Sequence, residues 1–84
     1  MFYTYVLFSP KLNKRYIGST SDLTKRLAEH NAGKSRFTKS GIPWILVYSE
    51  SYSSNSDARK RELFLKSGFG RKFLDDILKN TVGF

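Results

Sequence analysis

The chain has 84 residues, 39% hydrophobic and 15% aromatic, and its 15 basic and 7 acidic side chains give a net charge of +8. A chain this short buries only about 60% of its unfolded surface, so residues 1–84 are expected to form one small domain around one core. Aromatic content at this level argues against disorder, and the absence of cysteine excludes a disulfide scaffold, a thiolate nucleophile and a cysteine-ligated zinc site.

The first element is "FYTYVLF", Phe2 to Phe8, dense in β-branched and aromatic residues and read as a strand. It is too short to span a bilayer, and no charged segment precedes it as in a signal peptide, so a cytoplasmic chain with no membrane association is expected. "SPKLNKR" holds the turn residues Pro10 and Asn13 and closes a hairpin into a second strand, "RYIGS", which Gly18 is expected to break. Ser21 or Asp22 can cap a helix from Leu23 to Asn31, with Gly33 ending it and Leu23 and Leu27 forming its apolar stripe.

"GKSRFTKSG" is polar and basic and reads as a loop or a short irregular helix. "PWILVYSE" is the clearest strand in the chain, opened by Pro43. "SYSSNS" is a linker whose last serine, Ser56, can cap the helix "DARKRELFLK". Gly68 and Gly70 separate that helix from "RKFLDDILKN", whose apolar residues recur at helical spacing. The order is β-β-α-β-α-α.

The positive charge is unevenly placed. Residues 11–39 hold eight basic and two acidic side chains, and residues 57–72 hold six and two. Two basic blocks converging on one surface form an electrostatic footprint for nucleic acid; the plainer alternative is a merely basic solvated surface.

Within this frame a few residues can carry chemistry. Tyr5 and Tyr16 lie on strands that pair, where they can share a face and either pack on the core or act together. After Tyr16 the chain passes through a glycine into a helix N-terminus, which favours an anion. On that helix Arg26 and His30 are spaced i, i+4 at the edge of the apolar stripe. Glu62 shares a helix side with Ala58 and Leu65, so its carboxylate faces partly inward. It can pair with Lys66 one turn on, or serve as a hard oxygen ligand for a divalent cation. Glu29 and Asp22 are expected to be solvent or capping residues.

Taken together, Tyr3-Thr4-Tyr5, Tyr16-Ile17-Gly18, Arg26, His30 and the inward Glu62 resemble the GIY-YIG endonuclease superfamily. The likeness runs from about residue 2 to 79 and is closest to the stand-alone bacterial members described as UvrC-like, in "YIGST", "DLTKRLAEHNAGK", "PWILVYSE" and "RELFLK". The intervals from Tyr5 to Tyr16 and from Tyr16 to Arg26 also match the family. The first motif reads Tyr-Thr-Tyr in place of Gly-Ile-Tyr and keeps the tyrosine. Many members carry a late asparagine in the site; Asn80 lies too far beyond Glu62 and is left out.

The resemblance implies an α/β (α+β) sandwich with a central three-stranded antiparallel sheet flanked by helices. It also implies metal-dependent endonucleolytic hydrolysis of phosphodiesters in DNA, structure-selective and tied to repair or recombination, with RNA left open as substrate. Glu62 would hold one Mg²⁺ or Mn²⁺, and Arg26 would neutralise charge on the phosphate. Tyr5 would help deprotonate the attacking water, with Tyr16 or His30 positioning it; His30 is the more obvious base by its ordinary pKa. Contacts to flanking phosphates are expected from Lys14, Lys39, Arg59, Arg71 and Lys72. The competing reading is a basic module that grips nucleic acid without cutting it.

Overall fold

The computed structural model describes residues 1–79 in full and the backbone of 80–82, so the side chain of Asn80 lies outside the described residues. The elements are β1 (Phe2–Ser9), β2 (Lys14–Thr20), α1 (Leu23–Asn31), a 3₁₀ turn (Lys39–Gly41), β3 (Ile45–Tyr52), α2 (Asn55–Lys66) and α3 (Gly68–Val82). The strands form one antiparallel sheet in the order β2-β1-β3, so the first strand of the chain is the central one. That position explains its composition. A central strand covered on both faces is mostly buried, and Tyr5, Val6 and Leu7 are buried together with Thr4 and Ser9, whose hydroxyls donate to the Ala58 and Gly41 carbonyls.

The pleat divides those residues between two cores. Tyr5 and Leu7 join Trp44, with Tyr16, Leu23, Leu27 and Ile42 packed against them, on the face covered by α1. Val6 joins Leu65, Leu74 and Leu78, with Ile17, Val47 and Phe73 against them, on the face covered by α2 and α3. Each fully buried leucine contributes about 1.5–3 kcal/mol of transfer free energy.

Local signals set the helix ends. The Asp22 carboxylate accepts from the Lys25 amide at 3.1 Å and starts α1. Ala32 closes that helix, and Gly33 follows with φ +78°, a left-handed conformation that suits glycine. Ser54, two residues before the expected Ser56, caps α2 by accepting from Asp57 N at 3.2 Å. Both serines have the right chemistry; burial of Ala58 fixes which turn faces the sheet, and Ser56 falls inside the helix.

One expected break is absent and another is displaced to Ser67, between α2 and α3. Gly18 lies within β2, opposite Tyr5 in the register. Gly68 and Gly70 lie inside the first turn of α3 and do not precede it. Pro43 stands two residues ahead of β3, and the Ile42–Pro43 peptide is cis.

Gly70 lets the start of α3 pack directly on the backbone of α2. A Cβ at this position would stand 2.0 Å from the Phe64 carbonyl oxygen and 2.4 Å from the Leu65 Cα, both backbone atoms with no rotamer to yield. Gly70→Ala should therefore cost about 3 kcal/mol by overpacking, well beyond the roughly 1 kcal/mol that alanine gains in helix propensity. Urea melts of the two proteins measure the difference.

A charged clamp fixes α2 along its length. Arg61 donates from Nε and Nη2 to the Glu50 carboxylate of β3 at 2.8 and 3.1 Å. The hydroxyls of Tyr48 and Tyr52 donate into the same carboxylate, and the guanidinium lies over the rings of Phe64 and Phe73 at 4.8 and 5.0 Å. The residue after Arg61 is Glu62, so the clamp also sets where that carboxylate stands.

Candidate active site

Strand β2 forms the edge of the sheet, and its two faces carry different chemistry. On the α1 face Tyr16 stands beside Tyr5 with ring centroids 6.3 Å apart, and its ring meets His30 edge-on at 4.8 Å. Gly18 leaves the room these rings require. A Cβ at that position would lie 2.7 Å from the Tyr5 hydroxyl and 2.9 Å from its Cζ, so the glycine makes space for a phenol.

A buried hydrogen-bonded chain runs inward from Tyr5. Its hydroxyl lies 3.0 Å from His30 Nε2, and His30 Nδ1 lies 2.7 Å from Thr38 Oγ1. Thr38 donates its own hydroxyl proton to the Ser35 carbonyl at 3.4 Å, so it accepts from Nδ1–H. That leaves Nε2 as the acceptor of the Tyr5 O–H. Tyr5 is 1% exposed and His30 and Thr38 are fully buried, yet among the described residues no buried side-chain polar atom lacks a partner.

This environment fixes the protonation states. Burial raises the Tyr5 phenol to about 12, outweighing the interaction with Arg26 that would lower it. On the order of one molecule in 100,000 then carries a phenolate at pH 7, so the neighbouring cation does not make Tyr5 a free base. Burial, and next the charge of Arg26, lower the His30 pKa below its ordinary 6.5, which keeps the ring neutral. Burial works against the Arg26 cation too, but its interactions with Tyr5, Glu29 and Tyr16 more than offset this. Arg26 also pairs with Glu29 at 3.3 Å, a partner read from sequence as a solvent residue.

Glu62 approaches from the other face of the same strand. Its Oε1 accepts from Ser19 Oγ at 2.7 Å and its Oε2 from Lys66 Nζ at 2.7 Å. Burial would raise this carboxyl, but the bonds from Lys66 and Ser19 outweigh burial and hold it below the usual range, so it is ionised. It is close enough to Tyr5 for its charge to act on the phenol. The five residues singled out from sequence therefore meet around one edge strand, four on one face and one on the other. Thr38 and Ser19 complete the arrangement; neither carries a sequence signal, because both are single hydroxyls in polar segments.

The donor set decides what metal it suits. Among the described residues no three or more His, Cys, Asp or Glu side chains gather as a protein cage. One ionised carboxylate with lone pairs to spare fits a hard cation such as Mg²⁺, which keeps several waters and takes phosphate oxygens as further ligands.

A model of the GIY-YIG catalytic domain matches residues 1–73. The chain belongs to the GIY-YIG family. It is 42% identical over 66 residues to UPF0213 protein SH2523 of Staphylococcus haemolyticus, covering 77% of this chain and 79% of that one. It is 36% identical over 82 residues to UPF0213 protein YsiG of Lactococcus lactis, covering 96% and 78%. The solution NMR structure of UPF0213 protein BH0048 from Bacillus halodurans superposes with a TM-score of 0.54 at 28% identity, covering 92% of this chain and 85% of that one.

In this GIY-YIG domain the expected phosphate contacts fall in different places. Lys14 and Arg71 line a surface cavity of about 630 Å³ together with Arg15, Lys66 and Tyr16, which puts four cations beside a site residue. Arg59 is exposed on α2, and its charge helps to lower the Glu62 pKa. Lys72 is exposed on α3, and Lys39 is exposed on the 3₁₀ turn next to Thr38; neither lines that cavity. Among the described residues no helix is long and apolar enough to cross a membrane.

Three groups of shifted pKa make the stability of this GIY-YIG domain acid-sensitive in two stages. A histidine whose folded pKa lies below 6.5 binds fewer protons folded than unfolded, so stability falls as pH drops from 6.5 to the folded value. Glu50 and Glu62, both lowered from 4.5, add a second loss below that pH. Melting temperatures measured across acid pH should show both stages, and His30→Gln should remove the upper one alone.

Proposed function

We propose that this chain is a metal-dependent endonuclease that hydrolyses phosphodiester bonds in DNA. The observation that carries this reading is the Tyr5–His30–Thr38 chain ending beside Arg26 and, across the edge strand, the ionised Glu62. A phenol at about 12 does not act by standing ionised. Instead, Tyr5 accepts a proton from the attacking water while passing its own to Nε2 of the neutral His30, and Thr38 stabilises the resulting imidazolium through Nδ1–H. Burial and the Arg26 charge both make that imidazolium costly; a negative phosphate entering beside Arg26 offsets the second of these.

Arg26 offers the phosphate a planar, permanently charged fork, and Tyr16 flanks it. Glu62 would hold Mg²⁺ or Mn²⁺, which supplies Lewis-acid stabilisation of the leaving oxygen when bound. Ser19 and Lys66 keep the carboxylate oriented and ionised. The cations of the 630 Å³ cavity supply non-specific contacts to flanking phosphates, and repair or recombination intermediates are the fitting substrates.

The experiment is direct. Purified protein incubated with supercoiled, branched and single-stranded DNA should nick at least one of them with Mg²⁺ or Mn²⁺ and none with chelator. Salt-sensitive binding with no nicking under any of these conditions would favour the binding module.

A further inference from the structure

The loop that supplies Thr38 also presents Phe37, which is 88% exposed. The ring does not stand out because the loop is loose. Thr38 is fully buried, holds His30 through its side chain, and accepts from Trp44 Nε1 through its carbonyl at 2.6 Å. Behind it, Trp44 exchanges two hydrogen bonds with the Asn31 side chain, and Ser9 Oγ donates to the Gly41 carbonyl at 2.7 Å. Phe37 therefore projects from a pinned backbone one residue away from a member of the proton-accepting chain.

Its surroundings select the kind of occupant. Lys34, Arg36 and Lys39 neighbour Phe37 in the chain and are exposed, none joins an ion pair among the described residues, and residues 31–49 contain no acidic side chain. An apolar groove on a protein partner would be rimmed by apolar neighbours, whereas a polyanion with flat π-faces meets both the ring and the cations. In an intact duplex the base faces are already stacked. Only an unpaired base can cover this ring.

We propose that Phe37 is a stacking platform for an unpaired nucleobase, gripped on either side through its phosphates by Lys34, Arg36 and Lys39. The substrate then contains a gap, flap or bulge close to the scissile phosphate. This rests on the nuclease reading and narrows its substrate class.

The test compares wild type, Phe37→Ala and Phe37→Trp on two probes in chelator, where no cutting occurs. One probe is a fully paired DNA duplex, and the other is the same duplex with a short gap carrying 2-aminopurine as an unpaired base. Phe37→Ala should weaken binding to the gapped probe roughly 5- to 150-fold, the usual range for losing one base-stacking aromatic, and change the paired probe by no more than about twofold. Phe37→Trp should keep the affinity, and only wild type and that variant should quench the 2-aminopurine. Equal losses on both probes, or no loss on the gapped one, overturn the platform. If wild type nicks DNA with Mg²⁺ and Phe37→Ala behaves identically on both probes, this inference alone falls. If wild type binds neither probe at low salt, the nuclease reading falls with it. Thermal melts of all three proteins should coincide, since the ring adds nothing to either core.

Discussion

Glu62→Gln should abolish metal-dependent cleavage and leave DNA affinity in chelator nearly unchanged. The amide has the same shape and still offers an oxygen to Ser19 Oγ, so the carboxylate's place at the edge of β2 is filled. What disappears is the negative charge, without which the side chain is a poor partner for a hard cation. A bound metal supplies several kcal/mol of transition-state stabilisation, so its loss should slow single-turnover nicking by about 10³-fold or more. Stability should barely move: the exposed i, i+4 contact with Lys66 is worth only a few tenths of a kcal/mol. Cleavage at the wild-type rate would remove Glu62 from the metal site.

Arg26→Ala should slow cleavage by roughly 10²-fold or more, the scale for losing one transition-state donor, and Arg26→Lys should recover only part of it because a point charge cannot replace a planar fork. Both variants should melt close to wild type. The pair with Glu29 is partly exposed and 3.3 Å long, so removing it costs about 0.5 kcal/mol at most. A second readout separates the electrostatic role from a packing one. The Arg26 charge is, after burial, one of the causes that lower the His30 pKa, so Arg26→Ala should raise the lower end of the upper acid stage towards 6.5 and shrink the stability lost in it, and Arg26→Lys should not. A large fall in melting temperature with unchanged activity per folded molecule would make Arg26 structural.

Much of this site is legible where the informative residues are close together in the chain. The helix start at Ser21 or Asp22, which the structure places at Asp22, the i, i+4 pair Arg26 and His30, and the hairpin that brings Tyr5 to Tyr16 are local, and spacing and residue type point to each. What depends on distant partners was not. Gly18 reads as a strand breaker until the buried Tyr5 phenol is seen to occupy the space of its missing Cβ. Thr38 lies in a polar loop and gains its role from His30 alone. The sign of the Tyr5 shift turns on burial, which a sequence does not display: proximity to Arg26 argues for an easier phenolate, and desolvation wins. Ser54 and Ser56 are chemically equivalent caps, separated only by which turn the sheet buries.

The order β2-β1-β3 has a consequence for the newly made chain. As synthesis proceeds from the N-terminus, β1, β2 and α1 emerge first, carrying Tyr5, Tyr16, Arg26 and His30. The carboxylate that meets Ser19 follows 43 positions later, on a helix that comes after β3, the strand on the far side of β1. Tyr5, Tyr16, Arg26 and His30 are thus synthesised before Glu62. The five residues can therefore meet only late in synthesis, once α2 packs against the sheet.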